Sequence, residues 1–363
     1  MRYFSLKAFS LWLAALACLM VAPARAGITY QQVTVGNAGN AGDTRTGANT
    51  LGKGAVSYDY QIGKYDVTIG QYTSFLNAVA VTDTYSLYNS RMGTNLNIAG
   101  ISQTGGSGNY TYSVIGSANR PITYVSWWDS ARFSNWMANG QPTGAQSSTT
   151  TENGAYNVNG AISGNAVAKN AINPNTSAAP TFYIPTENEW YKAAYYSPTL
   201  NSGSGGYYAY ATQSNTAPGN VVGSAANQAN YYNSVWSVTQ VVGGADLNQN
   251  YLTDVGAFSG SGSFYGTFDQ SGNMLQWNDL DGAGGSSRGL RGGSWDYSGA
   301  FYVSSSYSDS DAPSGENSSI GFRLASPVSS PSGVPEIDPS GLSAVLGLLF
   351  GGLGLLERRR YGR

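Results

Sequence analysis

The order of apolar and polar positions predicts three helices followed by a long stretch of short strands and loops. Tyr58 to Tyr65 alternates as a strand does. Thr68, followed by Gln71 to Asn77, reads as a capped helix. From Ser126 to Met137, Trp127, Ala131, Ser134 and Asn135 recur at helical spacing, with Asp129 in the first turn, where the helix dipole favours an acid. A third helix starts at Pro185-Thr186: Thr186 is a good N-cap and Glu189 stands three residues on, the pattern of a capping box. Beyond Ser197 only short aromatic, Gly-punctuated segments remain, which predicts strands and loops. No heptad or solenoid repeat is present. Two stretches, about 140–179 and 201–227, are rich in Gly, Ser, Asn and Thr and nearly free of charge. They read as surface insertions in a single domain, because the segments between them are too short to bury separate cores.

Both ends carry address-like patterns. Arg2 and Lys7 precede an apolar run from Leu11 to Ala22, and Ala24-Arg25-Ala26 supplies a small-x-small site before Gly27, so residues 1–26 read as a secretory signal peptide. Residues 326–338 form a Pro/Gly/Ser-rich linker containing Val334-Pro335-Glu336. An uncharged stretch over 339–356 is just long enough to span a bilayer, and the basic tail 357–363 should stay cytoplasmic by the positive-inside rule. This tripartite tail resembles the PEP-CTERM sorting signal of Gram-negative bacteria, which implies an exosortase-type machinery as partner and delivery to the cell envelope, outer surface or extracellular matrix. Ile337-Asp338-Pro339 stands where the pattern has Pro directly after Glu336. The alternative is a plain single-pass anchor, which would have the same length and basic flank.

Composition removes whole classes of chemistry. The chain of 363 residues has no His, and its one Cys, Cys18, lies within the signal. Ser-His-Asp and Cys-His nucleophiles, disulfides, zinc sites and imidazole-ligated iron or copper all need groups missing from the mature part. Any metal must be held by oxygen, which favours calcium or magnesium. Only 10% of the residues are charged, against 13% aromatic, so the surface must be made of Gly, Ser, Asn, Thr and Tyr. Between Gly27 and Gly333 there are 11 basic and 17 acidic residues, a mildly acidic balance without a footprint for nucleic acid.

A series of segments, in order, resembles the formylglycine-generating enzyme family, also called sulfatase-modifying factors. They are Asp66-Val67-Thr68, Arg120-Pro121-Ile122-Thr123-Tyr124-Val125-Ser126-Trp127, Ile184-Pro185-Thr186-Glu187-Asn188-Glu189-Trp190, Gly272-Asn273, Leu290-Arg291-Gly292-Gly293-Ser294-Trp295 and Gly321-Phe322-Arg323. The family patterns are of the type "E-V-T", "P-V-x-x-V-S-W", "L-P-T-E-A-E-W", "G-N-V-W-E-W", "R-G-G-S-W" and "G-F-R". The resemblance implies an α+β, C-type-lectin-like fold with little regular secondary structure over about 27–325. The residues also have structural readings. Glu187 and Glu189 serve the helix start, Trp127, Trp190, Trp277 and Trp295 anchor the core with indole N–H groups that need partners, and Arg291 and Arg323 pair with buried acceptors. Gly292, Gly293 and Gly321 allow tight turns or close packing.

In that family a pair of cysteines following the Gly-Gly-Ser-aromatic motif binds copper and oxidises a substrate cysteine. Counted without a gap, the matching positions here are Tyr297 and Tyr302, so copper is not expected and no catalytic residue is assigned. Calcium remains possible: the family's sites imply Asn230 and Asp246 for one, and Asn273 with Gln276, in place of a Glu, for another. Trp295, Asp296, Tyr297, Tyr302 and Tyr307 are the candidate ligand-binding residues, because the Tyr/Ser/Asp-rich segment 296–317 lies between two family motifs and such side chains make adaptable contacts. It occupies the place used for ligand variability in retroelement-diversified relatives. The expected function is a surface or matrix protein that binds a glycan or protein ligand, or is structural. The alternative is an oxidoreductase-like enzyme of cysteine-independent chemistry, which would need carboxylates converging on a pocket.

Overall fold

In a computed structural model of the chain, residues 27–328 are described; the stretch 1–26, expected as a signal peptide, and residues 329–363, where the sorting motif, the membrane-spanning stretch 339–356 and the basic tail are expected, lie outside them. Among the described residues no helix is long and apolar enough to cross a membrane. The three expected helices form at Ile69–Val79, Trp127–Ala138 and Glu187–Tyr195. Each is started by the same device: Thr68, Ser126 and Thr186 accept from the backbone of the residue three positions on, and the side chains of Gln71, Asp129 and Glu189 reach back to the cap. Burial, with Glu316 nearby, pushes the Asp129 carboxyl up to about 8.

Sheets are small, in keeping with the α+β, loop-rich class. Tyr60–Gly63 lies between Gln32–Val35 and Ala325–Pro327, antiparallel to both, with Ile62 opposite Val33 on one side and Ala325 on the other. This sheet ties the start of the domain to its end. A second sheet runs in the order Ile320–Gly321, Leu275–Asn278, Arg288–Arg291, Asp309–Asp311, parallel at the first pair and antiparallel after it. Gly321 is required there, since a Cβ would stand 2.6 Å from the Ile122 carbonyl oxygen.

Between sheets and helices lies an aromatic core. Tyr72, Phe75, Phe133, Trp136 and Phe322 pack with neighbouring ring centroids 5.2 to 6.0 Å apart. Three core indoles find partners: Trp127 donates to Asp279 Oδ1 at 2.7 Å, Trp190 to Gln276 Oε1 at 2.7 Å and Trp277 to the Val125 carbonyl at 3.0 Å. Four arginines are fully buried as well, and each faces a carboxylate: Arg132 with Glu152, Arg288 with Asp279, Arg291 with Glu187 and Arg323 with Asp66.

Within the stretch 140–179, residues 150–158 are mostly buried, whereas most of the rest is exposed, as its composition predicts. The helix Trp127–Ala138 is buried at every position, polar ones included, and residues 150–158 satisfy it. Arg132 forms two parallel bonds to Glu152, at 2.8 and 2.9 Å. Asn135 donates to the carbonyls of Thr151 and Tyr156 and accepts from the Tyr156 N–H. Tyr156 then donates to Asp279. Gly, Ser and Thr here supply close backbone approach to a helix, not solvent contact. The second stretch, 201–227, is mostly exposed.

Glu152→Gln should therefore lower unfolding stability by about 3 kcal/mol, because it leaves the Arg132 charge buried without a counter-charge. Ser148→Ala, in the exposed part of the same stretch, should stay within about 0.5 kcal/mol. Chemical denaturation of both variants checks this; equal, small effects would restore the surface reading.

Candidate functional site

The end of strand Arg288–Arg291 builds the region of the matched cysteine positions. After Arg291 the chain turns through Gly293, whose φ is +70° and whose missing Cβ would lie 2.4 Å from the Tyr302 carbonyl oxygen. Only glycine allows that approach. Arg291 closes the region from beneath: it bonds Glu187 through Nε at 2.9 Å and Nη2 at 2.6 Å, and donates to the carbonyls of Asn49, Ser305 and Tyr307. Glu187, flanked by Arg291 and Lys53, is held below the usual carboxylate range despite its burial.

On this support Tyr297 and Tyr302 stand side by side, with ring centroids 5.2 Å apart and the planes edge to face. Tyr307 lies 5.8 Å from the first and 5.1 Å from the second, so the three rings form one cluster. Sequence reasoning missed Phe301, which joins it at 5.5 Å from Tyr302 and 5.9 Å from Tyr307 and is 58% exposed, as Tyr302 is 38% exposed. The available signal was a Phe with no apolar period around it, inside the segment already singled out. Tyr307 donates to Asp309 Oδ2 at 3.0 Å. Burial pushes the Tyr297 and Tyr307 phenols up, so neither supplies a phenolate at neutral pH.

Trp295 and Asp296 are placed below this face. Trp295 is buried, stacked on Tyr251 at 5.4 Å with planes 4° apart, and continued outward by Trp236 and Tyr232. Asp296 accepts from the Ser294 hydroxyl, and burial raises its carboxyl. Two clefts, of about 650 and 590 Å³, open elsewhere, around Asp66 and around Asp43.

The calcium candidates do not converge. Asn230 and Asn273 meet, Nδ2 of the first donating to Oδ1 of the second at 2.9 Å, and the Thr253 N–H also points at that oxygen. Gln276 sits in another cluster, where Oε1 accepts from Trp190 and, at 2.6 Å, from Arg323 Nε. Asp246 occupies an exposed turn and accepts from the Asn248 N–H. Among the described residues no three His, Cys, Asp or Glu side chains come together in a metal-holding group. Asn273 Oδ1 and Gln276 Oε1, already facing N–H donors, one of them a guanidinium, do not fit a hard cation. Thermal unfolding should give the same midpoint with calcium and with a chelator; a chelator-induced fall would show a cation held by oxygens outside this set.

No curated protein sequence matches the chain. Among solved structures, CarF is 19% identical over 83% of this chain and 99% of that chain, with a TM-score of 0.44. Treponema denticola variable protein 1 is 17% identical over 83% and 96%, with a TM-score of 0.47. PvdO from Pseudomonas aeruginosa is 16% identical over 83% and 93%, with a TM-score of 0.41. A family model described as the sulfatase-modifying factor enzyme 1-like domain matches residues 29–328, and the chain therefore belongs to that family, FGE-sulfatase.

Proposed function

We propose that the protein is exported, sorted to the cell envelope, and uses its sulfatase-modifying-factor domain to bind a ligand or build the envelope matrix. The observation that carries this reading is the aromatic face itself. Where the family pattern places two thiols, this chain places two phenols that pack with Tyr307 and an outward-facing Phe301. Copper-thiolate chemistry has no ligand there. Half-exposed rings beside Ser and Asp residues suit a glycan or protein surface, since aromatic side chains bury much area at little entropic cost. Export and sorting rest on the patterns at 1–26 and 334–363.

A screen of the purified protein on glycan and cell-surface protein arrays should yield a ligand, and Phe301→Ala or Tyr302→Ala should weaken it about tenfold while leaving the thermal midpoint in place. No ligand on either array would remove the binding reading and leave the structural one. Cell fractionation with mass spectrometry of the mature ends should place the protein in the envelope or medium, beginning at Gly27 and ending near Glu336. A cytoplasmic protein with residues 1–26 intact would overturn export, and an uncut tail in the membrane fraction would favour the plain anchor.

A further inference from the structure

The cleft of about 590 Å³ shares no lining residue with the aromatic face and does not depend on that reading; its size is that of a small-molecule site. One wall is the turn 41–45. The other is a short hairpin, in which Tyr196–Ser197 pairs with Gly206–Tyr207 and the rings of Tyr196 and Tyr207 meet edge to face at 5.1 Å. Gly205, at φ +80°, passes so close that a Cβ would stand 2.4 Å from the Tyr196 hydroxyl oxygen. A side chain there would close over that hydroxyl. Tyr196 is otherwise buried, at 8% exposure, and its hydroxyl has no partner among the described residues, yet it is not enclosed, so the cleft is where it opens.

Arg45 is the cation of the cleft, and it is held from one side only. Nε donates to both oxygens of Asp43, at 3.0 and 2.9 Å, and Nη2 donates to Asp43 Oδ2 and, at 3.1 Å, to the Tyr191 hydroxyl. Asp43 also accepts from the Arg45 N–H and from Tyr191, so both its oxygens are in use. Despite its burial, these partners keep it below the usual carboxylate range. The Asp43 side chain is 2% exposed and that of Arg45 36%. Nη1 is left over: its two protons meet no acceptor among the described residues, and it too is open. Asn215 spends its oxygen on the Ala209 N–H at 2.9 Å and keeps its amide nitrogen for the cleft, while Thr44 and Ser204 add exposed hydroxyls.

We propose that this cleft binds an uncharged sugar, with Arg45 Nη1 across neighbouring hydroxyls and Tyr196 donating to a further oxygen. The chemistry of the wall selects that class. Asp43 offsets the charge of Arg45, so little positive potential remains to collect an anion. Its oxygens are already taken, so an organic cation or a metal finds no carboxylate. An apolar ligand would strip water from Nη1 and the phenol and give nothing back. Hydroxyl and amide groups that both donate and accept match the hydroxyls of a sugar ring. The buried anchor on Asp43 and Tyr191 also fixes the guanidinium before the ligand arrives, which removes part of the entropic cost of binding.

The test is titration of the purified full-length protein with the methyl glycosides of D-glucose, D-galactose and D-mannose, and with sodium D-glucuronate, followed by proton NMR at low and high sodium chloride. At least one glycoside should bind, with an affinity that salt leaves unchanged. Ser204→Trp, which fills the cleft from an exposed position, should abolish binding at an unchanged thermal midpoint. Tyr196→Phe, which removes only the open hydroxyl, should weaken it about fivefold. Phe301→Ala should leave it intact, whatever becomes of the array ligands. The proposal is overturned if no glycoside binds, if glucuronate alone binds, if affinity falls steeply with salt, if binding survives Ser204→Trp or is indifferent to Tyr196→Phe, or if Phe301→Ala removes it, which would place the sugar on the aromatic face.

Discussion

Buried guanidinium groups hold this domain together in the absence of long sheets. A loop-rich interior leaves backbone carbonyls without ladder partners, and each must still be satisfied. Arg291 serves those of Asn49, Ser305 and Tyr307; Arg288 those of Val167, Ala283 and Ser287; Arg323 those of Gly63 and Phe268; and Arg132 that of Ala161. A planar group with five donors can do this where a lysine cannot. Burying its charge requires a carboxylate beside it, which is where several of the few acids in the chain are used.

The aromatic face follows from one of these knots. Arg291 pins the backbone at 305 and 307, Gly293 presses against the carbonyl of Tyr302, and the pairing of Tyr232 with residues 297 and 299 adds the third restraint. Tyr297, Tyr302 and Tyr307 are then brought together whatever their chemistry. The family frame positions a pair of side chains; the residue type at those positions decides whether they ligate a metal or offer a surface. In this chain they are phenols whose protons are retained at neutral pH for Tyr297 and Tyr307.

A different knot, Arg323 with Asp66, ends imperfectly. Asp66 reaches the guanidinium with one oxygen only. The other three arginines are surrounded by hydrogen-bonded carboxylates: Glu152 takes Arg132 with both oxygens, Glu187 is shared with Lys53, and Asp279 also receives Trp127 and Tyr156.

The amino-acid sequence by itself determined the helix starts, the ordered family motifs and the exclusion of imidazole chemistry. Helix caps are legible because Thr68 and Gln71, Ser126 and Asp129, or Thr186 and Glu189 act over three residues, and histidine, missing from the chain, is absent in any fold. Tertiary structure decided the rest. Glu152 became a core residue because Arg132 needed a counter-charge, Phe301 joined the tyrosines because a glycine turn brings 293 against 302, and Asp66 met Arg323 across 257 positions of sequence. Composition marks Gly, Ser and Asn as solvent-facing, but a buried polar helix needs the small residues and free backbone groups they provide. Only the folded chain shows which partner stands opposite.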